Sequence, residues 1–210
     1  MELMLVRHTE VGVPPGVVYG RTDVPLAESF RAEFGEVAER VRHFWADGPT
    51  SIVSSPATRA RLLAEHLHAE HLHAAPHVAS NQLSFDERLL EIGFGSWEMQ
   101  RWSDLDRAQV DAWMADYVQI RPPQGDLPGE NLTDLAQRVC DAVDDAVAAG
   151  SERTLLVCHG AVIRVALSTF LHMPLSKSFS LEVDKGSVSR VGFRGTGDHR
   201  RPLVLCVNYR

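Results

Sequence analysis

Three short apolar runs, at residues 3–6, 51–54 and 154–158, most constrain what this chain can fold into. Each is bounded by turn or charged residues, the pattern of a buried strand. Between and after them come segments with helical spacing. Residues 28–45 carry Phe30, Phe34, Val37, Val41 and Phe44. The segment after Ser55-Pro56 carries Leu62, Leu63 and Leu67, with Ser55 expected as its N-cap and Pro56 at its first position. Residues 131–148 carry Leu132, Leu135, Val139, Val143 and Val147, and residues 161–171 form a further apolar helix. Residues 188–193 and 203–207 read as the last strands. Strands alternating with helices predict an α/β fold, a three-layer α/β/α sandwich around a mostly parallel sheet. With 210 residues, a single domain over 1–210 is expected, carrying an irregular, largely helical insertion at roughly 80–128. That insertion holds Trp97, Trp102 and Trp113, which would pack over a pocket or form a homodimer face.

Charge narrows the partners. The formal net charge is -7, with no basic tail or helix, so nucleic acid is not an expected partner. No stretch is long enough to span a membrane, and Arg7 and His8 interrupt the first apolar run too early for a signal segment. Cys140, Cys158 and Cys206 are odd in number and widely spaced. They fit neither a disulfide framework nor a CxxC metal site, and they suit a reducing cytoplasm.

Chemistry gathers where the apolar runs end. The first stops at Arg7-His8, and the carboxyl ends of strands are where open α/β sheets bind ligands. Ser54-Ser55-Pro56 leads to Arg59 in the first turns of the next helix. Val157-Cys158 ends in His159-Gly160, with Gly160 allowing a tight turn. If these strands are neighbours, one crevice collects Arg7, His8, Arg59 and His159. Two guanidiniums and two imidazoles suit a phosphoryl group, since the forks hold its oxygens and a neutral ring can attack phosphorus. Residues 87–98 add carboxylates beside a glycine-rich aromatic turn.

At this point the sequence resembles the histidine phosphatase superfamily, the phosphoglycerate mutase-like group. Residues 5–10 resemble its Arg-His-Gly/Thr signature, and Ser54-Ser55-Pro56 with Arg59-Ala60 its second arginine motif. Residues 89–98 resemble its acidic motif, with Met99 where the family has Gly. Pro128-Gly129-Glu130-Asn131 resembles its Gly-Glu-Ser turn, with Asn for Ser, and residues 157–160 resemble its second-histidine motif. The resemblance implies a phosphoglycerate mutase-like fold and metal-independent phosphomonoester hydrolysis, with no cofactor. His8 would become phosphohistidine. Arg7, Arg59 and His159 would hold the phosphoryl oxygens. Glu91, chosen by family spacing over Asp86, Glu87 and Glu98, would protonate the leaving oxygen and then deprotonate water.

Residues 18–26, with Tyr19, Gly20 and Arg21, resemble the corresponding segment of alpha-ribazole phosphatases. This implies alpha-ribazole 5'-phosphate, a small phosphorylated metabolite, as substrate, in the assembly of cobalamin's nucleotide loop. Tyr19, Gly20, Arg21 and Gly160 are the expected substrate contacts. The alternatives are a phosphoglycerate mutase or a broad-specificity phosphatase. A reading from another class is a metal-binding or interaction protein built on His66, His68, His71, His73 and His77. Pro76 interrupts any helix before His77, and no carboxylate or cysteine pattern completes a metal site, so a solvated His-rich helix end is favoured.

Overall fold

The computed structural model describes residues 1–74, 82–195 and 201–210. Strand β1 (Glu2–Arg7) is followed by helix α1 (Phe30–Phe44), β2 (Ser51–Ser54), α2 (Thr58–Ala74) and β3 (Gln82–Phe85). Short 3-10 turns then lead to α3 (Arg107–Ala115) and α4 (Leu132–Ala148). The chain ends with β4 (Arg153–Cys158), α5 (Gly160–Phe170), β5 (Val188–Arg194) and β6 (Arg201–Tyr209). The six strands form one sheet in the order β3-β2-β4-β1-β5-β6. β3, β2, β4 and β1 are parallel, while β5 and β6 run antiparallel.

The central strands read as unbroken apolar runs because helices cover both faces of the sheet. Met4, Val6, Ile52, Leu155 and Val157 pack with Phe34, Val37 and Val41 of α1 and Leu63 and Leu67 of α2. Leu3, Leu5, Leu156 and Cys158 point the other way, onto Leu135 and Val139 of α4 and Ile163 and Leu167 of α5. Successive side chains of one strand therefore enter two separate cores, and the three-layer sandwich follows. In the β1–β4 pairing Arg7 lies opposite Cys158, so Arg7-His8 and His159-Gly160 leave the sheet side by side.

Two local expectations change. β3 adds a strand that the apolar pattern does not announce, because Gln82 to Phe85 is a largely exposed edge. Helix α2 begins at Thr58, and Ser55 does not cap it in the expected way. The capping carboxylate comes from a distant loop: Asp23 accepts from the Thr58 backbone N–H at 2.9 Å and from its hydroxyl at 2.5 Å. The tryptophans form an aromatic cluster of their own. Trp97 and Trp113 are buried, and the half-exposed Trp102 stacks on Trp113 at 5.9 Å.

At α4, Asn131 replaces the family serine without losing the cap. Its side chain accepts from Asp134 N–H at 2.9 Å, and Asp134 accepts from Asn131 N–H at 3.3 Å. Asn and Ser are equally good N-caps, so the helix start is preserved. Among the described residues no helix is long and apolar enough to cross a membrane.

Candidate active site

The strand order brings Arg7, His8, Arg59, Glu91 and His159 into one cluster at the carboxyl ends of β1, β2 and β4. His8, Arg59 and His159 are fully or almost fully buried. The two imidazoles meet edge to face, with ring centroids 5.2 Å apart. His8 is anchored by its backbone N–H, which donates to Cys158 O at 3.0 Å. Its ring Nδ1 lies 2.7 Å from Thr9 O. A carbonyl oxygen only accepts, so Nδ1 carries the proton and Nε2 carries the lone pair. Burial, and then the positive charges of Arg59 and Arg7, hold the His8 pKa well below the ordinary imidazole value. The ring is therefore neutral near pH 7 and can act as a nucleophile.

His159 is held in the same neutral state by burial, then by Arg59, His8 and Arg7. Its Nε2 lies 2.8 Å from the Ser55 hydroxyl, which is thus part of the site instead of a conventional helix cap. Its Nδ1 is buried and has no partner among the described residues. The Nε atoms of Arg7 and Arg59 are likewise buried and unpartnered. Each such group forfeits about 1–3 kcal/mol of desolvation, which a bound acceptor would recover.

The guanidiniums are aimed by backbone carbonyls. Arg7 donates to Val183 O at 2.7 Å. Arg59 donates to Thr22 O at 2.9 Å and Gly20 O at 2.6 Å, and lies 5.4 Å from the Tyr19 ring centroid. Tyr19 and Gly20, expected as substrate contacts, thus hold Arg59. A Cβ at Gly20 would sit 2.1 Å from Ile92 O, so the close approach of two loops requires glycine there. Arg21, expected to reach beyond the phosphate, is turned to Glu130 at 2.7 Å. Gly160 serves a space requirement: a Cβ there would lie 2.9 Å from Arg164 Nη1 and 3.2 Å from Arg7 Cζ.

The four carboxylates of the acidic segment separate by their partners. Asp86 pairs with Arg88 at 2.7 Å, and Glu87 is exposed. Glu98 clamps two loops, accepting from Arg21 N–H, Thr22 N–H, the Thr22 hydroxyl and Phe94 N–H at 2.7–3.1 Å. Only Glu91 reaches the site, accepting from Ala161 N–H in the first turn of α5 at 3.2 Å. Burial lowers the pKa values of Arg59 and Arg164, and the nearby Glu91 opposes that shift.

Three contributors went unrecognised as such in the sequence. Ser55, ahead of Pro56, carries only the pattern of a helix cap. Arg164, one turn into α5, adds a third guanidinium beside Arg7, and its Nε donates to Leu181 O at 2.8 Å. Arg138 holds the Glu91 loop, donating to the carbonyls of Arg88, Leu90 and Glu91 at 2.6–3.0 Å and to both oxygens of Glu130 at 2.7 and 2.9 Å. A lone arginine within a helix gives no local signal of such a task.

The His-rich segment lies elsewhere. His66 packs on Phe34, His71 is buried against Gly48, and His73 Nδ1 lies 2.6 Å from Ala69 O. His68 lies on the same helix, and His77 falls outside the described residues. Among the described residues, no group of three or more His, Cys, Asp or Glu is placed to hold a metal ion.

Known proteins share both the sequence pattern and the fold. The probable phosphoglycerate mutase GpmB of Proteus mirabilis is 30% identical over 200 residues, covering 93% of this chain and 86% of that protein. The mycobacterial glucosyl-3-phosphoglycerate phosphatase superposes with a TM-score of 0.81 at 22% identity, covering 99% of this chain and 98% of that one. A putative alpha-ribazole-5'-P phosphatase from Escherichia coli gives 0.80 at 21% identity, covering 99% and 96%. The sequence profile of the histidine phosphatase superfamily (branch 1) matches residues 3–204, and this chain belongs to that superfamily.

Proposed function

We propose that this chain is a phosphomonoesterase that works through a phosphohistidine on His8, without a metal ion. The observation that supports this most is the set of buried, unpartnered polar atoms around a neutral imidazole: Arg7 Nε, Arg59 Nε and His159 Nδ1. In the first step His8 Nε2 attacks phosphorus, the ester P–O bond breaks, and Glu91 gives its proton to the leaving oxygen. In the second, Glu91 takes a proton from water, the resulting oxygen attacks phosphorus, and the P–N bond breaks to release phosphate. Splitting the displacement lowers each barrier. Arg7 and Arg59 stay charged at any working pH, so they can stabilise the transferring group throughout. In this reading residues 1–210 are one catalytic domain, acting in the cytoplasm on a small phosphorylated metabolite.

The substrate in this reading is alpha-ribazole 5'-phosphate. It is supported by the resemblance of residues 18–26 and by the likeness to the E. coli protein. A second reading, phosphoglycerate mutase, is favoured by the name of the Proteus relative. The experiment runs both assays in the presence of a chelator. Net phosphate release from alpha-ribazole 5'-phosphate, abolished in His8→Ala, is the expected result. Isomerisation of phosphoglycerate, primed by a bisphosphate and without net phosphate release, would replace it with the mutase. Equal turnover of many unrelated phosphomonoesters would leave a broad-specificity phosphatase.

A further inference from the structure

We propose that Ser55 is a positioning residue that fixes the tautomer of His159, so that this ring offers a phosphoryl oxygen an N–H and not a lone pair. The proposal rests on the reading of His159 as a phosphoryl ligand. Ser55 follows β2 and is completely buried. Its hydroxyl oxygen has two partners, Ala57 N–H at 3.4 Å and His159 Nε2 at 2.8 Å. A backbone N–H can only donate, so the oxygen accepts from Ala57. Its own proton then has one acceptor among the described residues, His159 Nε2. The reverse assignment, Nε2–H donating to the hydroxyl, would leave the serine proton with no acceptor among the described residues, an arrangement buried hydroxyls avoid.

A neutral imidazole carries one proton, and the surroundings of His159 keep it neutral. With Nε2 accepting from Ser55, that proton is on Nδ1, the buried ring atom that has no partner. The two rings of the site are thereby set alike in tautomer and opposite in use. His8 spends its Nδ1–H on Thr9 O and keeps the Nε2 lone pair for phosphorus. His159 spends its Nε2 lone pair on Ser55 and keeps Nδ1–H for an oxygen. The wrong tautomer of His159 would set a lone pair against an anionic oxygen and remove one of the donors that oppose its charge.

The test is made on the full chain, with histidine labelled with nitrogen-15. Long-range proton–nitrogen correlations of the His159 ring, assigned by their loss in His159→Gln, separate a protonated nitrogen from a bare one. The wild type is expected to show protonated Nδ1 and bare Nε2. Ser55→Ala should shift the ring toward Nε2–H and lower kcat for p-nitrophenyl phosphate at least about 10-fold. Ser55→Thr, which keeps the hydroxyl, should retain the wild-type tautomer and most of kcat. A protonated Nε2 in the wild type overturns the proposal, whatever the variants do. So does a folded Ser55→Ala protein that keeps both Nδ1–H and full kcat. Should the wild type show the expected tautomer yet release no phosphate from any ester, the phosphatase reading fails while the assignment of Ser55's proton stands.

Discussion

Removing Arg138 tests whether the acidic loop is held from α4. Its guanidinium makes two bonds to Glu130 and three to backbone carbonyls of residues 88, 90 and 91. The pair is mostly buried, with side-chain exposures of 15% and 11% for Arg138 and Glu130. Arg138→Ala leaves three carbonyls short of a donor and leaves Glu130 with Arg21 as its remaining ion-pair partner. Breaking a buried, hydrogen-bonded pair from one side costs about 3–5 kcal/mol. For a chain of this length that corresponds to a fall in Tm of about 6–20 °C. Urea unfolding of Arg138→Ala, Glu130→Gln and the double variant measures it. The double variant should cost less than the sum of the singles by about 1–3 kcal/mol, because either change alone already breaks the bonds that the two side chains share. Function should respond too: with Glu91's own carbonyl released, kcat should fall more than KM rises. Additivity of the two changes within about 0.5 kcal/mol, with kcat intact, would refute the picture of Arg138 as the tether of this loop.

Three further outcomes follow from the same geometry. Met99 has φ +65° and is 50% exposed, at the position where the family has Gly; Met99→Gly should therefore exceed Met99→Ala in stability by about 0.5–1 kcal/mol, since the left-handed conformation penalises any Cβ, and equal midpoints in urea would contradict this. His8 and His159 have folded pKa values depressed below 6.5, so their stabilisation is full above the unfolded imidazole pKa and is lost as pH falls toward the folded values; unfolding free energy should drop between pH 7 and pH 5 more steeply in the wild type than in His8→Gln, by up to about 1.4 kcal/mol per pH unit. Gly20→Ala should lower kcat and stability together, because a Cβ 2.1 Å from Ile92 O pushes apart the loops that carry Arg59's carbonyl partner and Glu91; unchanged kinetics would show that the loops can yield.

The sandwich was legible because three apolar runs, three helices with apolar spacing and one largely apolar helix carry their own pattern. Strand β3 was not, since an exposed edge strand of four residues buries too little to show a pattern. The cluster of Arg7, His8, Arg59 and His159 was legible for a topological reason. Each residue lies at or just after a strand, or in the first turn after it, and parallel strands deliver such positions to one end of the sheet. What holds the cluster was hidden, because its contacts join distant parts of the chain. Asp23 caps a helix 35 residues away, and Gly20 and Thr22 grip Arg59 through carbonyls that any residue type would supply. Arg138 reaches back 47 residues to Glu91 O. Within residues 19–23 the Gly20 and Thr22 carbonyls accept from Arg59, Asp23 caps α2, the Arg21 side chain pairs with Glu130, and Arg21 and Thr22 also donate to Glu98. In the proposed mechanism this segment aims Arg59, so its likeness to alpha-ribazole phosphatases bears on the phosphoryl site as well as on the alcohol.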